Sequence, residues 1–125
     1  MISQRITGYK DLKFWQKSFE TTKLILALVR KLPHDTATRT VISQLVRSSG
    51  SVGANIAEGY GRFKGKEYAR FIQMALGSAN ETDYWLLILK EIYPRLSIQI
   101  DEVRSINNET TGMLVSTVRT LRNKI

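Results

Sequence analysis

The chain has 125 residues, 42% of them hydrophobic and 24% charged, enough for one globular core and unlike a disordered or membrane-embedded chain. It has no cysteine, which excludes a disulfide framework and thiolate metal sites. The net charge of +8 is lopsided, with 13 Lys and Arg against 5 Asp and Glu in residues 1–70 and six of each sign in residues 71–125. Such asymmetry attracts polyanions, or simply keeps a surface solvated.

The opening "MISQRITGYK" lacks the apolar run of a secretory signal, so a cytoplasmic location is the default expectation. The first helix is predicted over about residues 11–32. Its stripe is Leu12, Trp15, Phe19, Thr22, Leu26 and Val29, widened by Ile25, Leu28 and Leu32, and Pro33 ends it. Asp35, Thr36 and Thr38 offer capping oxygens for a second helix, about 36–60, with Ile42, Leu45, Ser49, Val52 and Ile56 inward. Gly59 and Gly61 would end it in a left-handed cap. A third helix, about 65–93, carries Tyr68, Ile72, Ala75, Ala79, Thr82, Leu86, Leu89 and Tyr93 until Pro94 closes it. Ser97 would cap a fourth, about 98–123, with Val103, Ile106, Thr110, Met113, Thr117 and Leu121 inward.

No segment needs a strand, and the longest apolar stretches, "LILALV" and "YWLLIL", are too short to cross a bilayer. Short links between helices of this length force neighbours to alternate in direction. The expected fold is therefore all-α: residues 1–125 as one antiparallel, up-down-up-down four-helix bundle.

Enzyme chemistry is not expected. His34 is alone in a loop beside Pro33, and no Glu-x-x-His pair exists for a di-iron centre. "GYGRFKG" lacks both the spacing and the preceding strand of a nucleotide-binding loop. No metal, cofactor or small-molecule substrate is implied.

The anomalies are polar residues inside helices. Ser48, Ser51, Asn55 and Glu58 recur at three- and four-residue steps, surrounded by the small residues Ser49, Gly50, Gly53, Ala54 and Ala57. Glycine inside a helix costs about 1 kcal/mol relative to alanine, so Gly50 and Gly53 call for a close contact in return. Ser78, Asn80, Glu81 and Asp83 repeat the anomaly in the third helix. Three accounts stay open for Asn55 and Glu58: local hydrogen bonds that fix helix register, a subunit interface, or direct readout of a ligand by Asn55. A network of Arg47, Asn55, Ser78 and Glu81 is expected, since pairing the second helix against the third brings residues 44–55 near 77–86.

Four stretches carry a resemblance: "YKDLKFWQKS" (9–18), "SVGANIAEGYGR" (51–62), "KEYARFIQMALGSANETDYWL" (66–86) and "LVSTVRTLR" (114–122). Together they resemble the bacterial four-helix bundle family named for proteins encoded in intervening sequences of 23S ribosomal RNA, with "NIAEGYGR" the most specific part. The resemblance implies a left-handed bundle, assembly into a ring-like homopentamer, and no catalytic residues. The chain is also similar to accessory proteins of diversity-generating retroelements, whose basic pentameric barrels associate with a reverse transcriptase and nucleic acid. One departure stands out: many family members have Ser three residues before the Glu that opens the third helix, and here Lys64 precedes Glu67. The reciprocal capping box is therefore lost and a charge is added.

Two functions follow. In the first, Lys10, Lys13 and Lys17 meet Arg62, Lys64, Lys66 and Arg70 at one bundle end and bind the phosphates of RNA or DNA. Tyr60, Phe63 and Tyr68 then either stack on unpaired bases or staple the loop to the core. In the second, the protein is an interaction scaffold that recruits a protein partner and binds no nucleic acid. Arg47, Ser51, Asn55, Glu58, Ser78 and Glu81 are the candidate interface or structural polar residues in either case.

Overall fold

Asp11 organises the entry to the bundle. In the computed structural model, which describes residues 5–62 and 65–124, its Oδ2 accepts from the Thr7 and Gly8 backbone N–H groups (2.8 and 3.1 Å) and from the Thr7 hydroxyl (3.0 Å). These bonds fix a 3-10 turn, Tyr9–Asp11, ahead of helix α1 (Lys13–Val29). The chain then turns through Leu32, which is buried, and Pro33. Helix α2 (Thr36–Tyr60) starts on Asp35, whose carboxylate accepts from the Thr38 N–H at 2.9 Å. The Thr38 hydroxyl lies 3.0 Å from the same carboxylate and 2.7 Å from the Tyr93 hydroxyl. That contact ties the start of α2 to the end of α3 (Gly65–Ile92).

Helix α4 (Ser97–Lys124) follows a 3-10 turn, Pro94–Leu96. Ser97 has helical backbone angles (φ −57°, ψ −36°), so it continues that turn rather than forming the extended cap read from the sequence. The glycines also differ from expectation. Gly61 is right-handed at φ −66°, and the one left-handed glycine among the described residues is Gly65, at φ +55°. Gly59 is needed for another reason: a Cβ there would stand 2.7 Å from Phe71 Cβ, so glycine sets how closely α2 and α3 approach.

Cross-helix contacts fix the register. Ser48 meets Thr82 and Ser51 meets Ser78 between α2 and α3. Between α3 and α4, Lys90 meets Asp101 (2.8 Å), Asp83 meets Arg104 (2.8 Å), and Asn107 Nδ2 donates to Ala79 O (2.9 Å). In both pairs residue numbers rise along one helix as they fall along the other. Asp83 and Asp101 both hold the Arg104 guanidinium, raising its pKa further, with the Asp83 hydrogen bond the larger cause.

The core has two apolar halves. One gathers Ile25, Val29, Leu32, Val41, Leu45, Leu86, Leu89, Ile100 and Val103; the other gathers Phe14, Val52, Ile56, Ile72, Ala75, Ala79, Leu114 and Val118. Between them every helix contributes buried polar side chains: Ser18 and Thr21 from α1, Ser48 and Ser49 from α2, Thr82 from α3, Asn107 and Thr110 from α4. Most of these hydroxyls return a hydrogen bond to a carbonyl three or four residues back in their own helix. Among the described residues, no buried side-chain nitrogen or oxygen lacks a partner. The waist therefore escapes the penalty of about 1–3 kcal/mol for each unpaired buried polar group.

Helix α3 buries the stripe read from its sequence, from Ile72 to Leu89. Helix α1 does not. Its core face is Phe14, Ser18, Thr21, Ile25 and Val29, while Phe19 and Leu26 are 51% and 38% exposed. Among the described residues no helix is long and apolar enough to cross a membrane.

Candidate nucleic-acid interface

Besides the Ser48–Thr82 pair, the polar residues of α2 and α3 form two sets along the seam. In the first, Asn55 Nδ2 donates to Ser51 O (2.8 Å) and Ser51 Oγ (3.0 Å), and the Ser78 hydroxyl donates to Ser51 Oγ (3.1 Å). In the second, Arg47 pairs with Glu81 across the seam and with Gln44 on its own helix (2.9 Å). The Trp85 indole N–H donates to the same Glu81 carboxylate at 3.0 Å. The single network expected of Arg47, Asn55, Ser78 and Glu81 is thus divided, with no hydrogen bond between its halves among the described residues. Glu58 belongs to neither set; its carboxylate is 56% exposed and pairs with Arg62 at 3.3 Å.

Several of the basic residues are paired with carboxylates. Lys17 is turned toward α4, where it pairs with Glu109 at 2.9 Å. At the other corner Arg62 and Arg70 flank the Phe71 ring, 5.5 and 5.7 Å from its centre, and both reach Glu67 (3.5 and 4.0 Å). Glu58 and Glu67 therefore offset much of that corner's charge. The offset is soft, because exposed ion pairs contribute about 0–1 kcal/mol and a phosphate can displace them. Lys10, Lys13 and Lys66 are exposed, and no carboxylate among the described residues pairs with them. Lys64, Phe63 and the lost capping box lie outside the described residues.

Tyr68 is half-buried against the Phe14–Ile72 cluster, and its ring lies 3.4 Å from where a Gly59 Cβ would be. Burial, reinforced by nearby Tyr60, raises its hydroxyl pKa. That is the stapling role, not a free stacking face. Phe19 and Tyr84 are exposed, and Phe19 heads an aromatic group whose other members, Trp15 and Tyr9, are half-buried. Trp15 and Phe19 stack at 5.0 Å with planes 23° apart, and Tyr9 meets Trp15 edge-on at 5.2 Å. They line a groove of about 330 Å³ with Thr22, Gly50, Gly53, Ala54 and Ala57. Sequence reasoning placed Trp15 and Phe19 inward. The available signal was the spacing of Gly50, Gly53, Ala54 and Ala57, which leaves α2 without large side chains beside them.

Residues 10–116 match the family of 23S rRNA-intervening sequence proteins. The chain belongs to that family. A similar crystal structure is that of a protein with unknown function from the S23 ribosomal protein family of Bacteroides thetaiotaomicron VPI-5482. It shares 28% identity and a TM-score of 0.76, over 84% of this chain and 97% of that one. Among curated proteins none matches the chain. Family membership accounts for the four helices; the disposition of charge and aromatic surface belongs to this chain's own residues.

Proposed function

We propose that this protein is a non-enzymatic, cytoplasmic member of its family that assembles as a homopentamer of left-handed, up-down-up-down bundles and associates with nucleic acid, most simply RNA, through its basic surface. The observation that carries this reading is charge placement. The whole +8 excess belongs to residues 1–70, and Lys10, Lys13 and Lys66 stand exposed without carboxylate partners among the described residues. Arg62 and Arg70 add charge that weak surface pairs do not lock away. The 23S rRNA-intervening sequence name of the family points the same way. A homopentamer would repeat each basic group around a ring, and phosphate contacts repeated in this way bind with little sequence preference.

Retention of a labelled single-stranded RNA measured from low to moderate salt tests the reading. Affinity should fall steeply with salt, and Lys10→Gln/Lys13→Gln/Lys66→Gln should weaken binding and flatten the slope. Unaltered charge dependence in that variant would sink it. Light scattering tests assembly separately, and a monodisperse monomer at micromolar concentration would overturn the pentamer. The alternative, a protein-interaction scaffold without nucleic-acid binding, is favoured by the exposed Phe19 on the α1–α2 groove and the exposed Leu26 on the same helix. It predicts no RNA retention even at low salt.

A further inference from the structure

The two tryptophans differ in what their indole N–H groups do. Trp85 spends its proton on Glu81, inside the α2–α3 seam. The Trp15 indole has no acceptor among the described residues, and its nitrogen would lie 3.4 Å from a Cβ at Gly53, so it faces the groove floor. The Trp15 ring is one of three in contact, Tyr9, Trp15 and Phe19, and the outermost is half exposed. Lys23 places its ammonium 5.6 Å from the centre of the Phe19 ring and 3.5 Å from the exposed Glu20 carboxylate, a surface pair weak enough for a phosphate to displace, and the exposed Lys10 follows Tyr9 directly. Opposite the rings α2 offers only Gly50, Gly53, Ala54 and Ala57. Gly50 meets nothing within 4 Å, so no contact within the chain compensates for glycine there.

Resting on the nucleic-acid reading above, we propose that this groove is a stacking ledge for an unpaired base of single-stranded nucleic acid. The base takes the side of Phe19 turned away from Trp15 by displacing the exposed Lys23 ammonium, which moves to a flanking phosphate; the Trp15 N–H donates to the sugar–phosphate chain, and Lys10 meets the phosphate on the other side. Each element suits that ligand. Any base has a π-face, so stacking tolerates sequence; cations beside the ring favour a polyanion over a neutral apolar chain. The small α2 side chains leave room for a flat ring. A duplex, whose bases are already stacked on one another, has nothing to place on the ledge. This assigns the stacking role to residues other than Tyr60, Phe63 and Tyr68.

The test compares a single-stranded RNA 20-mer, a DNA strand of the same sequence, and the duplex formed by each, using the full chain at fixed salt. A Trp85→Phe background leaves Trp15 as the one indole reporter. Both single strands should quench Trp15 emission and the duplexes should not; quenching by RNA alone would restrict the ledge to strands bearing a 2′-hydroxyl. Phe19→Ala should weaken single-strand binding about tenfold or more, and Phe19→Tyr should restore it. Gly50→Leu, which fills the groove from a position with open space around it, should weaken binding to a similar degree while the fold survives. If both variants bind single strands as the unaltered chain does, while the triple lysine variant loses binding, the ledge is wrong and the basic surface stands. If the unaltered chain retains no nucleic acid at low salt, both readings fall together. If the variants lose binding only in step with a drop in particle mass by light scattering, the groove holds a second copy of this chain and the ledge is overturned.

Discussion

The α2–α3 seam and the α1–α2 groove share one helix and treat it in opposite ways. Along the seam, α2 presents Ser48, Ser51 and Asn55, residues that look like a binding stripe in the sequence, and the cross-helix pairs use them internally. Along the groove, α2 presents glycine and alanine, and α1 presents Trp15 and Phe19, residues that look like core. Polarity misleads in both places for one reason. A hydroxyl or amide that finds a helix carbonyl is as buriable as a methyl group, while a large apolar side chain is buried only if an element lies over it.

The largest test of this contrast lies on α1. Ile25→Ala, at a fully buried position, should cost about 3 kcal/mol, the transfer loss plus an unfilled cavity. Phe19→Ala, which the sequence stripe would rank as equally costly, should cost about 1 kcal/mol, chiefly its stacking on Trp15. Urea denaturation measures both. Equal costs in the isolated chain would mean that Phe19 is covered in solution.

How far the sequence could be read follows the same line. Helix α3 was legible from Ile72 to Leu89 because its alanines, Thr82 and leucines keep one phase throughout. On α4 Val103 and Thr110 are buried as read, while Ile106, Met113, Thr117 and Leu121 are half-buried, the first three each one position before the buried Asn107, Leu114 and Val118. The shift has a physical source: Asn107, 2% exposed, was counted as polar and so drew the phase toward Ile106. Ser18 and Thr21 did the same on α1. A polar layer shared by four helices leaves no apolar signature in any one of them. Likewise, glycines mark turns in sequence without saying which one is left-handed, and the chain uses Gly65 rather than Gly61 in that way.

A second comparison uses one substitution at two glycines of the same helix. Gly59→Ala drives a Cβ against Phe71 and should cost about 2 kcal/mol by forcing α2 and α3 apart. Gly50→Ala meets open space and should stabilise the isolated chain by up to about 1 kcal/mol, the helix propensity difference. Opposite signs in urea midpoints would separate the closed seam from the open groove. A cost at Gly50 would show that something already occupies the groove. Within the seam itself, Thr82→Val keeps the shape but removes the hydroxyl near Ser48 Oγ and Ser78 O, and should cost about 1 kcal/mol.

Acid should act on both regions through two carboxylates whose pKa values are lowered. Asp35 closes the far end of the seam, and the hydrogen bonds from the Thr38 backbone and hydroxyl are the main reason its pKa is low. Asp11 holds the turn that delivers Tyr9 to the groove, and its pKa is lowered first by the Thr7 backbone N–H and then by the Thr7 hydroxyl. A carboxylate with a depressed folded-state pKa stabilises the fold at every pH above its unfolded value, about 3.9, and loses that contribution as pH falls through the folded value. Asp35→Ala should therefore be less stable than the unaltered chain at pH 7, with a urea-midpoint difference that shrinks as pH drops below about 4. Asp11→Ala should move the global midpoint less, because Asp11 restrains only the segment from Thr7 to the turn, and should register in Trp15 emission as Tyr9 leaves its edge. A midpoint difference for Asp35→Ala that stays constant from pH 7 to pH 3 would show that this cap holds the seam's end through hydrogen bonds that do not depend on its charge.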